Sequence, residues 1–330
     1  MPLPTLLLDM PAGAGARLLT LSWVEQLAQR LNGGHLPDER RARAHDAVRR
    51  LRICASAYRA ELGDGVTQKH RRRLRSLSTA LARVSALDAQ LAWIDAHGHT
   101  LVKREIPGGI WLRERIALLR SRASAGLVTE CEESLPRLRR QLGKRLSRYT
   151  TELRLGDGPQ ERSFAAATGT ALDQSARSLA ARLETLRRGR DATAARRAAG
   201  AARQTRALLE PLSLHEASVA ALTTRLDSLQ RAIDAVTAAH RVGELLRRAG
   251  AAAGAAQMRL RVEEAFQNGS VASRRASTRA VDPRPGIVAL ASRARANLER
   301  SLEELNCDWA GDADLCTIIQ KVAADLAERH

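Results

Sequence analysis

Leu74-Arg-Ser-Leu-Ser-Thr-Ala-Leu-Ala-Arg-Val84 can be laid on Leu226-Asp-Ser-Leu-Gln-Arg-Ala-Ile-Asp-Ala-Val236. Leu, Ser, Leu, Ala, an aliphatic residue and Val recur at matching places. In each copy the apolar residues return every three or four positions, the period of an amphipathic helix. Upstream of each lies an arginine-rich helical stretch, Arg49-Arg50-Leu51-Arg52 in the first copy and Arg203-Gln204-Thr205-Arg206 in the second. Two long copies are too few for a solenoid and fit two related helical bundles.

Most of the remaining chain carries the same period. Helices are expected over about 18–31, 38–61, 68–96, 110–154, 162–189, 192–210, 213–249 and 252–267. Breaks are expected at Asn32-Gly33-Gly34, Gly63-Asp64-Gly65, Gly98, Pro107-Gly108-Gly109 and Gly156-Asp157-Gly158-Pro159. Pro37-Asp38-Glu39 and Asp191-Ala192-Thr193 have the composition of helix starts. Pro136 should kink or break the 110–154 segment. The polar, aperiodic stretch 268–286 reads as a linker, followed by amphipathic segments at about 287–305 and 313–329.

Composition narrows the class. The 330 residues hold 54 Lys and Arg against 36 Asp and Glu, a formal charge of +18, while aromatics are 2%. So few aromatic residues argue against a β-sandwich or barrel. They also argue against a module that stacks bases on aromatic platforms. Residues 287–330 hold five basic and eight acidic side chains, a charge of −3, which leaves +21 on residues 1–286. A body so basic attracts phosphate-bearing partners. Cys54, Cys131, Cys307 and Cys316 form no CxxC pair, which suits a reducing compartment and gives no zinc pattern. No segment reaches the ~18 apolar residues of a membrane span, and the first residues lack the basic region of a secretory signal. A cytoplasmic protein without membrane insertion is expected.

Arg41, His45, Arg49 and Arg52 are spaced i, i+4, i+8 and i+11, so successive members are neighbours on one helix face. Ala44, Val48, Leu51 and Ala55 form the adjacent apolar stripe. The second copy offers Arg196, Arg203, Arg206 and Glu210. Guanidinium groups suit phosphate because their planar forks bind its oxygens bidentately at any cellular pH. No catalytic arrangement emerges. There is no Gly-x-Ser-x-Gly turn, Gly13-Ala14-Gly15 lacks the sequence of a phosphate loop, and His97-Gly98-His99 has no further metal ligand at helical spacing. The expectation is a protein that is not an enzyme, with no metal or cofactor.

Residues about 18–267 resemble a CHAD domain, the conserved-histidine α-helical domain that binds inorganic polyphosphate. The family's first signature is a helix reading roughly His-x-x-Arg-Val-x-x-Arg-Arg-Leu-Arg, matched by Arg49-Arg50-Leu51-Arg52. A Leu-rich helix follows, matched by Leu74 through Leu87-Asp88-Ala89. The second half is matched by Arg203, Arg206 and Leu209-Glu210, then Leu229-Gln230-Arg231-Ala232-Ile233. The chain departs from the pattern where Ala42 and Arg196 stand at the histidine positions, His45 at an arginine position and Ala207 at a tyrosine position. The Glu-x-Glu-x-Lys signature of the triphosphate hydrolase domain often fused to this family is absent.

The resemblance implies an all-α fold of two pseudo-twofold-related antiparallel four-helix bundles with a C-terminal helical extension. It assigns 1–17 to an N-terminal extension, 18–155 and 156–267 to the two halves, 268–286 to a linker and 287–330 to an acidic tail. Basic side chains would face a central groove, which adds Lys69, Arg71, Arg72, Arg73, Arg137, Arg140, Lys144, Arg145 and Arg148 as candidates. The implied function is binding of inorganic polyphosphate, with association to polyphosphate granules. The alternatives are sequence-independent binding of nucleic acid and a helical scaffold without a polyanion ligand. The acidic tail is expected to fold back toward the basic helices.

Overall fold

A computed structural model of the chain describes residues 7–31, 38–147, 162–213, 217–266, 282–311 and 314–328. Among them the protein is all-α. The helices are α1 (Ala12–Leu31), α2 (Asp38–Ala57), α3 (Arg59–Leu62), α4 (Gln68–Gly98), α5 (Ile106–Leu146), α6 (Phe164–Gly189), α7 (Ala192–Ser213), α8 (Ala217–Phe266), α9 (Arg284–Gly311) and α10 (Leu315–Ala327), with a 3-10 turn at Gly63–Gly65. The turns expected at 32–34 and 156–159, most of the 268–286 linker and Arg148 lie outside the described residues.

The helices differ from the sequence expectation in several places, among them the break expected at Pro107-Gly108-Gly109, which falls inside the first turn of α5. First, α1 begins at Ala12 rather than near 18, and Gly15 lies so close to Phe164 that a β-carbon would collide with the ring. Second, the expected 38–61 helix is interrupted at Tyr58, whose ψ of 37° leaves the helical region. Tyr58 is fully buried, packs its ring tilted against Phe164 at 5.0 Å and hydrogen-bonds Thr168 at 3.0 Å, so tertiary packing overrides local propensity. Third, α5 runs through Pro136 without ending. Fourth, the pair expected at 213–249 and 252–267 is one helix, α8. A glycine in a helix costs about 1 kcal/mol against alanine, and the alanines around Gly250 and Gly254 carry the helix across. The start expected at Asp191 is observed, its carboxylate accepting from the backbone N–H of Thr193 at 2.6 Å and Ala194 at 2.8 Å.

Contacts divide the chain into two compact units. One comprises Met1–Ser85, Ala123–Asp234 and Asn306–His330, the other Ala86–Arg122 and Ala235–Leu305. In the first, α1 packs on α2 and α6, α2 on α7, and α6 on both α7 and α10. Its core includes Leu19, Leu51, Leu74, Leu77, Leu81, Phe164 and Leu208. Small residues set the spacing of α7, where Ala194, Ala195, Ala198, Ala199, Ala201 and Ala202 are all buried. Burying aliphatic side chains at roughly 25 cal/mol per Å² is the main force holding such layers together. The end of the acidic tail packs on α6. Leu315, Cys316, Ile319, Ala323 and Leu326 of α10 are buried, Gly169 of α6 admits the α10 backbone at close range, and Asp314 pairs with Arg225 at 2.8 Å.

In the second unit Ile94, Leu112, Ile116, Val242, Leu246, Ile287 and Leu290 are buried. Arg113 pairs with Asp95 at 2.8 Å and Arg120 with Asp88 at 2.5 Å. Gly108 and Gly286 meet backbone to backbone, a contact no β-carbon would permit.

Candidate anion-binding site

On α2, Ala44, Ala47, Val48, Leu51, Cys54 and Ala55 face the core, which fixes where the arginines go. Arg41 lies within that stripe by helical spacing and is buried, 6% exposed. His45, Arg49, Arg50 and Arg52 are half-buried on its borders. Arg49 donates from Nη2 to His45 Nδ1 at 3.2 Å.

The arginine rows of α2 and α7 meet, and carboxylates meet them. Arg50 bonds Glu210 at 2.5 Å and Asp46 at 2.8 Å, with its guanidinium over the Trp23 ring at 4.8 Å. Arg206 pairs with Asp227 at 2.5 Å, and Arg203 pairs with Asp234. Asp46, Arg49, Arg50, Arg203, Arg206, Glu210 and Gln230 line a cavity of about 10 Å³, room for about one water. Four arginines therefore stand against four carboxylates, Asp46, Glu210, Asp227 and Asp234. Burial pushes the Glu210 carboxyl above its ordinary range and Asp46 adds to this, while Arg50 and Arg206 oppose it. Cys54, fully buried beside this pair, is pushed up to about 12, by burial first.

Around α4 the electrostatics have the opposite sign. On the flank toward α2, Arg52 donates to Ser78 Oγ at 2.9 Å. Its pKa is lowered by burial and then by Arg75. Arg71 donates to the Ala55 carbonyl at 3.3 Å, and its pKa is lowered by burial and then by Arg59. Its Nη2 is buried without a hydrogen-bond partner. Arg71 and Arg59 border a cleft of about 780 Å³ that also carries Glu61, Asp64 and Gln68.

On the other flank, Arg73 donates to Gln141 Oε1 at 3.0 Å, and Arg145 donates to the Asp64 carbonyl at 3.0 Å. His70 is buried between them and completes a reciprocal cap at the start of α4. Its N–H donates to Thr67 Oγ1 at 3.4 Å, and its Nδ1 accepts from the Thr67 N–H at 3.3 Å. Burial lowers the His70 pKa. Arg145, Arg73 and Lys69 lower it further, and a hydrogen bond with Gln141 opposes them.

At 100° per residue, Arg137, Arg140, Lys144 and Arg145 fall within an arc of about 140° on α5. Arg139 lies on the opposite border and is taken by Glu25 at 2.7 Å. Among the described residues, Arg52, Arg71, Lys69, Arg72, Arg73, Arg137, Arg140, Lys144 and Arg145 form no ion pair with a carboxylate. Arg196 is exposed on α7 and donates to Thr193 Oγ1 at 3.2 Å.

The structure thus separates the sequence candidates into an ion-paired set (Arg203 and Arg206), with Arg49 bonded to His45 beside it, and a cationic set around α4. It adds Arg75 and Arg59, which the sequence reading passed over. The aligned repeats held the signal, because Arg75 and Asp227 occupy the same position. Among the described residues no group of three or more His, Cys, Asp or Glu side chains is placed to hold a metal ion. No described helix is long and apolar enough to cross a membrane.

No family model and no curated protein sequence matches the chain. Solved structures do match it. The crystal structure of the CHAD domain from the plant Ricinus communis aligns with a TM-score of 0.63 at 16% identity, over 92% of this chain and 92% of that one. PptA from Streptomyces chartreusis aligns with a TM-score of 0.63 at 14% identity, over 91% of this chain and all of the other. The protein has a CHAD-like fold.

Proposed function

We propose that the chain binds inorganic polyphosphate, or a polyanion of the same kind, along the cationic surface of α2, α4 and the end of α5, and does so without catalysis. The observation that carries this reading is the set of cations around α4. Arg52 lies beside Arg75 and Arg71 beside Arg59, and burial together with these neighbours lowers the pKa of Arg52 and Arg71. Like charges held together disfavour one another in the free protein, and a ligand with regularly spaced negative charge relieves that repulsion. A phosphate chain has no bases to stack, in keeping with a surface almost free of aromatics. His70 is engaged in a helix cap rather than with a nucleophile. Association with polyphosphate granules would follow from such binding.

Competition tests the ligand class. Polyphosphate should displace labelled RNA from the full chain at physiological salt far more readily than RNA displaces polyphosphate. The reverse order would favour nucleic acid held through its phosphates alone, with its steep salt dependence. Binding of neither would leave the basic helices as the surface of a scaffold.

A further inference from the structure

We propose that the end of α8 is a self-association surface, on which the same segment of a second copy packs antiparallel. The last buried residue of α8 is Ala253. From Gly254 to Phe266 no described side chain is buried, so about 13 residues, roughly 20 Å of helix, continue past the last core residue of α8. Met258, Val262 and Phe266 are spaced i, i+4 and i+8 and are 61%, 46% and 88% exposed. They form one apolar stripe, and the neighbouring Ala255 and Ala265 let another helix approach closely. Large apolar side chains exposed in a row mark an interaction surface more often than an isolated one does.

The charges beside the stripe identify the occupant. Arg259 and Glu263 lie on the same flank, both exposed and neither in an ion pair among the described residues. When two identical helices pack antiparallel, each flank faces the same flank of the other copy. A twofold axis beside Val262 sets Met258 opposite Phe266 of the second copy. It also sets Arg259 opposite Glu263 within one turn, twice, because the contact is isologous. The charge on the other flank is answered within the chain. Arg284 chiefly holds the Asp282 carboxyl below its usual range, and Arg261 contributes to the same effect. A single pair of helix ends buries less than the ~1,200 Å² typical of stable complexes, so the dimer is concentration-dependent.

Sedimentation equilibrium of the full chain should show a monomer–dimer equilibrium that V262E abolishes. R259E and E263R should each weaken it about tenfold, the ~1.4 kcal/mol of an interfacial charge pair, and the double charge swap should restore it. In a Cys307→Ser background, which removes an exposed thiol, V262C should oxidise to a covalent dimer. L260C, on the opposite face, should not. Circular dichroism of each variant checks that α8 is intact. A wild type that is monomeric at every concentration, as would follow if residues 267–281 covered the stripe, overturns the proposal. So does a dimer that survives V262E, or equal cross-linking at positions 260 and 262.

Discussion

Arg52 and Arg206 stand at the same place in the two copies of the repeat, and their neighbours differ in sign. Arg52 lies against Arg75, and burial together with that neighbour lowers its pKa. Arg206 lies against Asp227, at the position corresponding to Arg75, in a 2.5 Å ion pair. Arg203 has Asp234 two helical turns further along, where the first copy has Ala82. The same helical scaffold therefore serves two ends. In the second copy, carboxylates supplied by α8 form ion pairs with Arg203 and Arg206, and removing either arginine would strand a carboxylate. In the first copy Arg52 and Arg75 carry no ion pair with a carboxylate among the described residues and remain available to an external anion. A count of basic residues treats the copies as equal, and only the partners separate them.

The comparison breaks most sharply when one residue is exchanged. R75D gives the first copy the arrangement of the second, removing one cation and capturing Arg52. Affinity for long-chain polyphosphate should fall about 100-fold, two charge-assisted contacts at about 1.4 kcal/mol each, as read by calorimetry. An affinity within threefold of wild type would place the ligand elsewhere.

Stability should show the opposite ranking. R206Q leaves Asp227 facing a neutral amide and should cost about 1–2 kcal/mol, below the range for fully buried pairs because both side chains are about one-third exposed. R52Q has no carboxylate to strand and should stay within ~0.5 kcal/mol. Urea melts of the two variants decide this, and equal losses would remove the distinction.

Glu210 supplies a pH test of the neutralised seam. Its folded pKa lies above its unfolded value, through burial first. The folded state therefore keeps the proton where the unfolded chain has lost it. This contribution to stability is fully present below the ordinary glutamate pKa of about 4.3 and is lost as pH rises through the raised value. In E210Q the stability-against-pH curve should lack that fall, and a curve parallel to wild type would contradict the assignment.

The smallest effect is at His70. Burial, with Arg145, Arg73 and Lys69, holds its pKa below the usual histidine value. An anion on those cations should raise the pKa, by some tenths of a unit for partly screened charges, followed by NMR titration of the imidazole with and without polyphosphate. An unchanged pKa would place the anion away from this flank.

Helix content could be read from the sequence because it rests on local periodicity. The interruption at Tyr58 could not, because its cause is the contact with Phe164 and Thr168, more than 100 residues away. The continuity of α8 was hidden by Gly250, a residue that marks a turn in isolation but that its alanine neighbours carry through. Of the site, the arginine rows were legible and their partners were not. Helical spacing already puts Arg41 inside the Ala44–Val48–Leu51 stripe, and the exchange of Arg75 for Asp227 is visible once the copies are aligned for charge as well as for apolar residues. Which carboxylate reaches which arginine depends on how α2, α7 and α8 pack.

The central claim is that the first copy of the repeat, and not the second, receives the polyanion. Calorimetric titration with long-chain polyphosphate at physiological salt, comparing R52Q/R75Q with R203Q/R206Q, tests it directly. The account predicts a loss of about 100-fold for the first double variant and a change within about threefold for the second. Equal losses, or a larger loss for R203Q/R206Q, would contradict it.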